Sequence, residues 1–255
     1  MNYSRRAQIR EILVSQPFTA LSELEAKFPD VSSMTLRRDI EFFEQQGDVI
    51  KVRGGARSMK FITTSMEESF TARSEENQPV KDSIARRAAG FIESGRSIFL
   101  DSGTTMMEFT KFLPDTRLII TTSGPNVAIA LAKHPKVMVN LVGGLLSHDN
   151  LSLSGGQSID YINKINIDIA FISPSGFSIE GGGTCGNYSE SELKNAVIKK
   201  AKKVVLLLDS AKLGKNLPFT FCDFGDIDVI VTERALPAEV AAQAKQAGIR
   251  TVVSE

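Results

Sequence analysis

The sequence predicts an α/β protein in two parts: a small N-terminal helix-turn-helix unit closed by a basic hairpin, then a doubly wound, mostly parallel sheet with helices on both faces. Three observations carry this reading. Residues 1 to 52 hold three helical periodicities and then a short apolar run ending at a Gly-Gly pair. From Ser97 onward, short apolar runs alternate with helical stretches, the rhythm of a parallel sheet with crossover helices. Between the two, Ser58 to Pro79 is polar and aperiodic. At 255 residues and 42% hydrophobic content the chain suits two cores better than one. The expected boundaries are 1–58, a linker at 59–79, and 80–255.

The first part is justified element by element. Ile9, Ile12 and Leu13 predict a helix over Tyr3 to Ser15, which Pro17 stops. Leu21, Leu24 and Phe28 predict a second, broken by Pro29-Asp30. Ser32 or Ser33 then offers an N-cap, and Leu36, Ile40 and Phe43 recur on one buried face of a third helix that Gly47 ends. Ser33, Met34, Thr35, Arg37 and Arg38 are left on the other face or its flanks, near the N-terminus. That is where a recognition helix needs side chains able to reach base edges in the major groove. Val49 to Arg53 with Gly54-Gly55 reads as a hairpin, the wing. From Val49 to Lys60 there are four cations (Lys51, Arg53, Arg57, Lys60) and no acid, so Lys51, Arg53 and Arg57 are candidate phosphate contacts. An Arg-Arg pair alone would read as a solvated face; the ordered cap, buried triplet, preceding helix and basic hairpin favour double-stranded DNA.

Charge gives this assignment no global support. Lys plus Arg and Asp plus Glu number 30 each, and residues 1 to 60 carry 10 basic and 8 acidic side chains. No apolar run approaches a membrane span, and the N-terminus has no signal-type apolar core, so a cytoplasmic location is expected. Cys185 and Cys222, with only His134 and His148, lack metal-ligand spacing; reduced thiols, no metal and no cofactor are expected.

In the second part, Ile84, Ala88, Phe91 and Ile92 predict a helix from Val80 to Gly95. Buried strands are then read at Ser97 to Leu100, Leu118 to Thr121, Val137 to Val142, Ile167 to Ile172, Val204 to Leu208 and Val229 to Val231. Helices are read at Met106 to Leu113, Val127 to Lys133, Gln157 to Asn163, Ser191 to Lys202 and Ala238 to Ala247. Ligands of such folds bind beyond the carboxyl ends of the strands. The loops there are Asp101-Ser102-Gly103-Thr104-Thr105, Thr121-Thr122-Ser123-Gly124, Gly143-Gly144, Ser173-Pro174-Ser175-Gly176 and Asp209-Ser210-Ala211-Lys212. Ser102 to Thr105, leading into a helix, reads as a phosphate cradle, and Lys212 as a neutralising cation. Ser-Gly-Thr-Thr alone is weak, because Ser and Thr cap helices everywhere.

VSSMTLRRDI at 31–40 with GDVIKVRGGA at 47–56 resembles the winged-helix signature of DeoR-family transcriptional regulators. Asp101-Ser-Gly-Thr-Thr, Val142-Gly-Gly, Ser154-Gly155, Asp168-Ile-Ala-Phe and Asp209-Ser-Ala-Lys212 resemble the second half of that family's pattern. The resemblance implies a sensor similar in fold to ribose-5-phosphate isomerase that binds a phosphorylated sugar or related metabolite. It places phosphate near Ser102 to Thr105, with polar contacts from Asp101 and Lys212, and Ser123, Gly143, Gly144, Gly155, Gly176 and Asp209 around them. A homodimer or homotetramer is expected, since one winged helix reads one half-site.

The alternative is a sugar-phosphate isomerase-like enzyme with a DNA-binding arm. Such chemistry needs a carboxylate base at the sugar. The resemblance puts an acidic loop after the strand Ile167 to Ile172, and here that loop is Ser173-Pro174-Ser175-Gly176-Phe177, with no acid before Glu180. Asp101 and Asp209 remain open as bases, although an Asp at a strand end is more often a cap. No catalytic residue is assigned, and a regulator, repressor in type, of a carbohydrate-metabolism operon is expected.

Overall fold

A computed structural model describes residues 2–16, 18–52, 54–58 and 70–254. Pro17, Arg53, Lys60 and the Glu67-Glu68 pair lie outside the described residues, as does the side chain of Arg57. The chain divides into two compact units, Met1–Met66 and Glu67–Glu255.

The first unit comprises α1 (Asn2–Ser15), β1 (Phe18–Ala20), α2 (Leu21–Lys27), α3 (Ser33–Gln45), β2 (Val49–Val52) and β3 (Gly55–Ser58). Ser32 caps α3, its hydroxyl accepting from the Thr35 amide at 3.3 Å. Leu36, Ile40 and Phe43 meet Ile9, Leu13, Leu24, Val49 and Ala56 in one core; full burial of such a side chain contributes about 1.5–3 kcal/mol. The hairpin β2–β3 is antiparallel, with Val52 opposite Gly55. The two glycines at its tip do different work. Gly54 turns the chain at φ +87°, whereas Gly55 is where β1 crosses: a Cβ there would lie 2.1 Å from the Thr19 carbonyl oxygen. Strand β1, which the sequence reading lacks, completes a three-stranded sheet in the order β1-β3-β2.

The second unit begins with α4 (Phe70–Glu75) and α5 (Gln78–Ala89), so part of the stretch expected as linker is helical. There follow β4 (Ser97–Leu100), α6 (Thr104–Phe109), a 3-10 turn (Thr110–Phe112), β5 (Leu118–Thr122), α7 (Pro125–Leu131), β6 (Val137–Leu141), β7 (Leu145–Leu146) and β8 (Leu153–Ser154). Next come α8 (Gly156–Asn163), β9 (Ile169–Ile172), β10 (Gly176–Ser178), β11 (Gly182–Cys185), α9 (Tyr188–Lys200), β12 (Val204–Leu207), β13 (Phe219–Cys222), β14 (Val229–Thr232), α10 (Ala238–Gln246) and β15 (Arg250–Val253).

Seven parallel strands form one sheet in the order β15-β14-β12-β9-β4-β5-β6. Both faces are covered, which is why the strands read as continuous apolar runs. Ile98, Leu100, Ile169, Phe171, Val205 and Leu207 enter one core, and Phe99, Ala170, Ile172, Val204 and Leu206 the other. From β4 the chain winds to β5 and β6 on one side and later returns to β9 on the other. The β4/β9 boundary is therefore the switch point, where a crevice opens at the carboxyl ends. An antiparallel ribbon in the order β10-β11-β13 stands beside this sheet. Its glycine-rich strands, GFS and GGTC, read in sequence as loop.

Candidate functional site

In the first unit the candidate nucleic-acid interface is one helix face and one strand. Ser33, Met34, Arg37 and Arg38 are all exposed, Met34 at 63%, on the face opposite the buried triplet. Thr35 is half-buried, and its hydroxyl bonds that of Ser32 at 2.9 Å. Beneath them Asp39, 1% exposed, takes Arg6 Nε at 2.8 Å and Arg5 Nη2 at 3.0 Å. Arg6 also lies over the Phe42 ring, 4.1 Å from its centroid. These pairs pin α1 to α3 and keep the recognition face from carrying an acid at that position.

The expectation of a wing free of acids needs correction. Helix α3 brings Glu41 to Lys51, Oε1 to Nζ 2.5 Å, and Glu44 Oε1 accepts the Lys51 amide at 2.8 Å. The side-chain hydrogen bond from Lys51 holds the Glu41 carboxyl below its ordinary value. Lys51 thus fastens the wing to the helix, and part of its charge is met inside the protein. A count along the sequence could not show this, because the acids lie on another element.

In the second unit a small polar hollow sits at the switch point, lined by Arg73, Ser102 to Thr105, Asn150, Ser173 to Ser175, Glu190, Lys194 and Lys212. Its floor is a buried ion network. Lys194, 3% exposed, places Nζ 3.0 Å from Asp101 Oδ2 and 2.9 Å from Glu190 Oε1, donates to the Ser173 carbonyl at 3.0 Å, and lies 4.9 Å from the Phe221 ring centroid. Asp101 also accepts the Ser102 amide at 2.9 Å and the Ser173 amide at 3.2 Å. It therefore ties the loops after β4 and β9 together from below and, at 1% exposure, is an organiser of the site rather than one of the residues lining it. Asn150 Nδ2 donates to Glu190 Oε2. On the wall, Lys212 Nζ donates to Ser173 Oγ at 2.7 Å, and Ser173 Oγ to the Leu207 carbonyl at 3.1 Å. Burial of its ammonium, aided by the nearby cations Arg73, Lys194 and Lys81 and opposed by Asp209, lowers Lys212 to about 7. The residue as a whole keeps some solvent exposure.

This geometry changes where the positive potential comes from. Helix α6 has only six residues and the Ser102 amide is already committed, so the cradle expected of a helix end is chiefly supplied by side-chain cations. Of the sequence candidates, Ser102, Gly103, Thr104, Thr105 and Lys212 are brought together. Ser123, Gly143, Gly144, Gly155, Gly176 and Asp209 are not among the lining residues. Ser123 gives its carbonyl to the Leu153 amide, Gly143 its carbonyl to Ser158 Oγ, and Asp209 caps the Ser210–Lys212 turn through the Ala211 amide at 2.8 Å. Gly144 meets the Ser154 carbonyl oxygen closely, Gly155 precedes α8, and Gly176 lies within β10.

The Ser173–Ser175 loop named from the sequence is part of the lining, but sequence reasoning missed Arg73, Asn150, Glu190 and Lys194. A signal existed for two of them. Glu190 and Lys194 stand in phase with Leu193, Val197 and Ile198 on the buried side of α9, and charges on an apolar stripe are there to be paired. Among the described residues no His/Cys/Asp/Glu group could hold a metal. Cys185 and Cys222 are buried free thiols, burial pushing the latter to about 12.

A DNA-facing helix and wing followed by an α/β unit with a cationic hollow at its switch point define a ligand-responsive, DNA-binding regulator. Comparison with known proteins agrees. A DeoR-like helix-turn-helix domain matches residues 5–61 and a DeoR C terminal sensor domain residues 76–234. The chain is 30% identical to a putative aga operon transcriptional repressor of Escherichia coli O157:H7, over 98% of this chain and 93% of that one. It is 31% identical to the HTH-type transcriptional regulator GolR of Listeria innocua, over 99% of each, and 31% identical to IolR of Bacillus subtilis, over 94% of each. The chain belongs to the DeoR family: it is a DNA-binding transcriptional regulator with a DeoR C terminal sensor domain. Among solved structures, ribose 5-phosphate isomerase A of Methanocaldococcus jannaschii is 16% identical with a TM-score of 0.42, covering 55% of this chain and 56% of that one. A probable sor operon regulator of Shigella flexneri is 16% identical with a TM-score of 0.39, covering 57% and 80%.

Proposed function

We propose that this protein is a repressor of a carbohydrate-metabolism operon in the cytoplasm, and that a phosphorylated sugar or related metabolite docks its phosphate in the hollow at the β4/β9 switch point. The observation that carries this is the convergence on one small cavity of the Ser102–Thr105 loop with three cations from separate elements, Arg73, Lys194 and Lys212. Its lining is polar enough for a phosphate with a few hydroxyls. Ser33, Met34, Thr35, Arg37 and Arg38 would meet operator bases or nearby phosphates, and Lys51, Arg53 and Arg57 the backbone. The working boundaries are 1–58 for the reading head and 80–255 for the sensor, with 59–79 between them, of which 67–79 fall in the second compact unit.

A homodimer or homotetramer completes the reading, since two half-sites need two heads. Support comes from the edge strand β6, uncharged along its length, and its neighbourhood. Ile119, Met138, Leu141, Leu145 and Leu146 are each 42–80% exposed there, an unprotected edge of the kind that pairs with its own copy about a two-fold axis. The test of the effector site is a thermal-shift screen against sugar phosphates, since a ligand of the native state raises its stability by mass action. A hit that stabilises the wild type, leaves Thr104→Val unshifted and alters operator affinity only in the wild type supports the site. An equal response from Thr104→Val places the phosphate elsewhere.

A further inference from the structure

Arg73 stands apart from the other lining residues. It lies on α4, the first described segment after residues 59–69, the stretch through which the chain reaches the sensor from the reading head. The helix has six residues and none of them is buried, so its own core does not fix it. It is held at its two ends instead. The Phe70 amide donates to the Asp149 carbonyl at 2.7 Å, next to the pocket residue Asn150. At the other end the buried Lys81 ammonium donates to the carbonyls of Arg73 and, at 2.6 Å, of Glu76. Burial lowers Lys81 from its ordinary value.

Both attachments border unusual backbone. Among the described residues, the non-glycine positions with positive φ are Asn77, immediately after α4 and its Glu76 anchor, and Leu151, immediately after Asn150; each has φ +50°. A left-handed leucine is a sterically costly conformation, and such residues cluster where a segment has two alternatives. The charge arrangement points the same way. Arg73, with Lys194 and Lys81, presses on Lys212; an anion placed among them relieves that repulsion and draws Arg73 inward.

We propose that Arg73 is a contact for the bound phosphate and that α4 is the strap through which occupancy of the hollow is passed to the DNA-reading unit. This rests on reading the hollow as the effector site. The phosphate is held from the side by Lys212 and from the strap by Arg73, above a floor that Lys194 orders through Asp101, Glu190 and the Ser173 carbonyl. Binding tightens α4 against α6 and the Asp149–Asn150 segment. With the pocket empty, the attachments at Phe70 and Lys81 hold that helix without a contact through the phosphate, and the chain leading to the reading head starts from it. A ligand shifts such an equilibrium only by its differential contacts with the two states; Arg73 is the lining residue that supplies one from this helix.

The test uses full-length protein, inorganic phosphate as probe, and an operator selected from random duplex by the wild type. Three readouts are taken: thermal shift, amide exchange over residues 70–81, and operator affinity. In the wild type, phosphate is expected to raise the melting temperature, slow exchange in α4 about tenfold and change operator affinity. Arg73→Gln should bind phosphate about tenfold more weakly, the worth of one lost charged hydrogen bond. At saturating phosphate it should keep the thermal shift while losing the exchange and operator responses. Arg73→Lys, which keeps the charge, should recover part of both. Wild-type binding with unchanged α4 exchange, or an Arg73→Gln protein that responds as the wild type does, overturns the strap and leaves the pocket standing. Absence of any phosphate effect on the wild type removes the pocket and the strap together.

Discussion

The recognition face and the sensor hollow are both built to meet phosphate, yet they hold their cations in opposite ways. Arg37 and Arg38 project from α3 into solvent, whereas Lys194 is 3% exposed and wedged between Asp101 and Glu190. The exposed pair costs little to maintain and its contacts are screened by salt, which suits a duplex that must be found and released. The buried lysine is desolvated, and its position is set by two carboxylates, a carbonyl and an aromatic ring before any ligand arrives. Such a site discriminates by shape and hydrogen bonding. Removing a cation from the first region should therefore alter binding and spare the fold; removing Lys194 from the second should cost the fold first.

The largest expected effect is on Lys194. Lys194→Met strands Asp101 and Glu190 without their shared partner, and breaking a buried pair in this way costs about 3–5 kcal/mol. Urea unfolding should show the midpoint fall; an unchanged midpoint would break the contrast at its strongest point. Arg38→Ala comes next. It should weaken operator binding by about 1–3 kcal/mol and relax base preference, while its unfolding midpoint stays within about 0.5 kcal/mol of the wild type. Equal losses on selected and random duplex would refute a base-reading role.

A smaller effect concerns pH. Lys212 titrates near 7 when the pocket is empty, against an ordinary 10.5, so above neutrality an anion must bind together with a proton. A phosphomonoester, with its second pKa at about 6, is already a dianion there. Its affinity should accordingly fall by roughly fifty-fold from pH 7 to 9 in calorimetric titration, as the protonated fraction drops from about half to about a hundredth, and Lys212→Arg should flatten that profile. The ligand-free protein shows the opposite sign: between about 7 and 10.5 the unfolded chain binds a proton that the folded one lacks, so this lysine makes stability rise with pH. A wild-type affinity that holds steady across that range would remove Lys212 from the anion site.

The smallest effect is expected from Lys51, whose ammonium is shared with Glu41. Lys51→Ala should lower the slope of log affinity against log salt by less than the 0.9 or so of a full phosphate contact, on all duplexes alike. A full unit of slope would mean that Glu41 lets go of the lysine on DNA.

The sequence by itself determined the parts that depend on local periodicity and punctuation. Leu36, Ile40 and Phe43 behind a serine cap could only be the buried face of α3, and Val204 to Leu207 or Ile169 to Ile172 could only be strands covered on both sides. The Ser102–Thr105 loop and Lys212 were legible for the same reason, because small polar residues at strand ends signal a crevice. What only the tertiary structure decided is which distant residues share a space. Lys194 looks like a surface lysine until α9 lays it under β4 and β9, Arg73 looks like part of a linker, and Lys51 looks unopposed until α3 brings Glu41 beside it. Ser123, Gly143 and Gly144 also end strands, yet β5 and β6 lie on the far side of β4 from β9, and these residues do not line the hollow. Periodicity records whether a residue faces a core; only sheet order and the packing of helices on it record which charges end up together there.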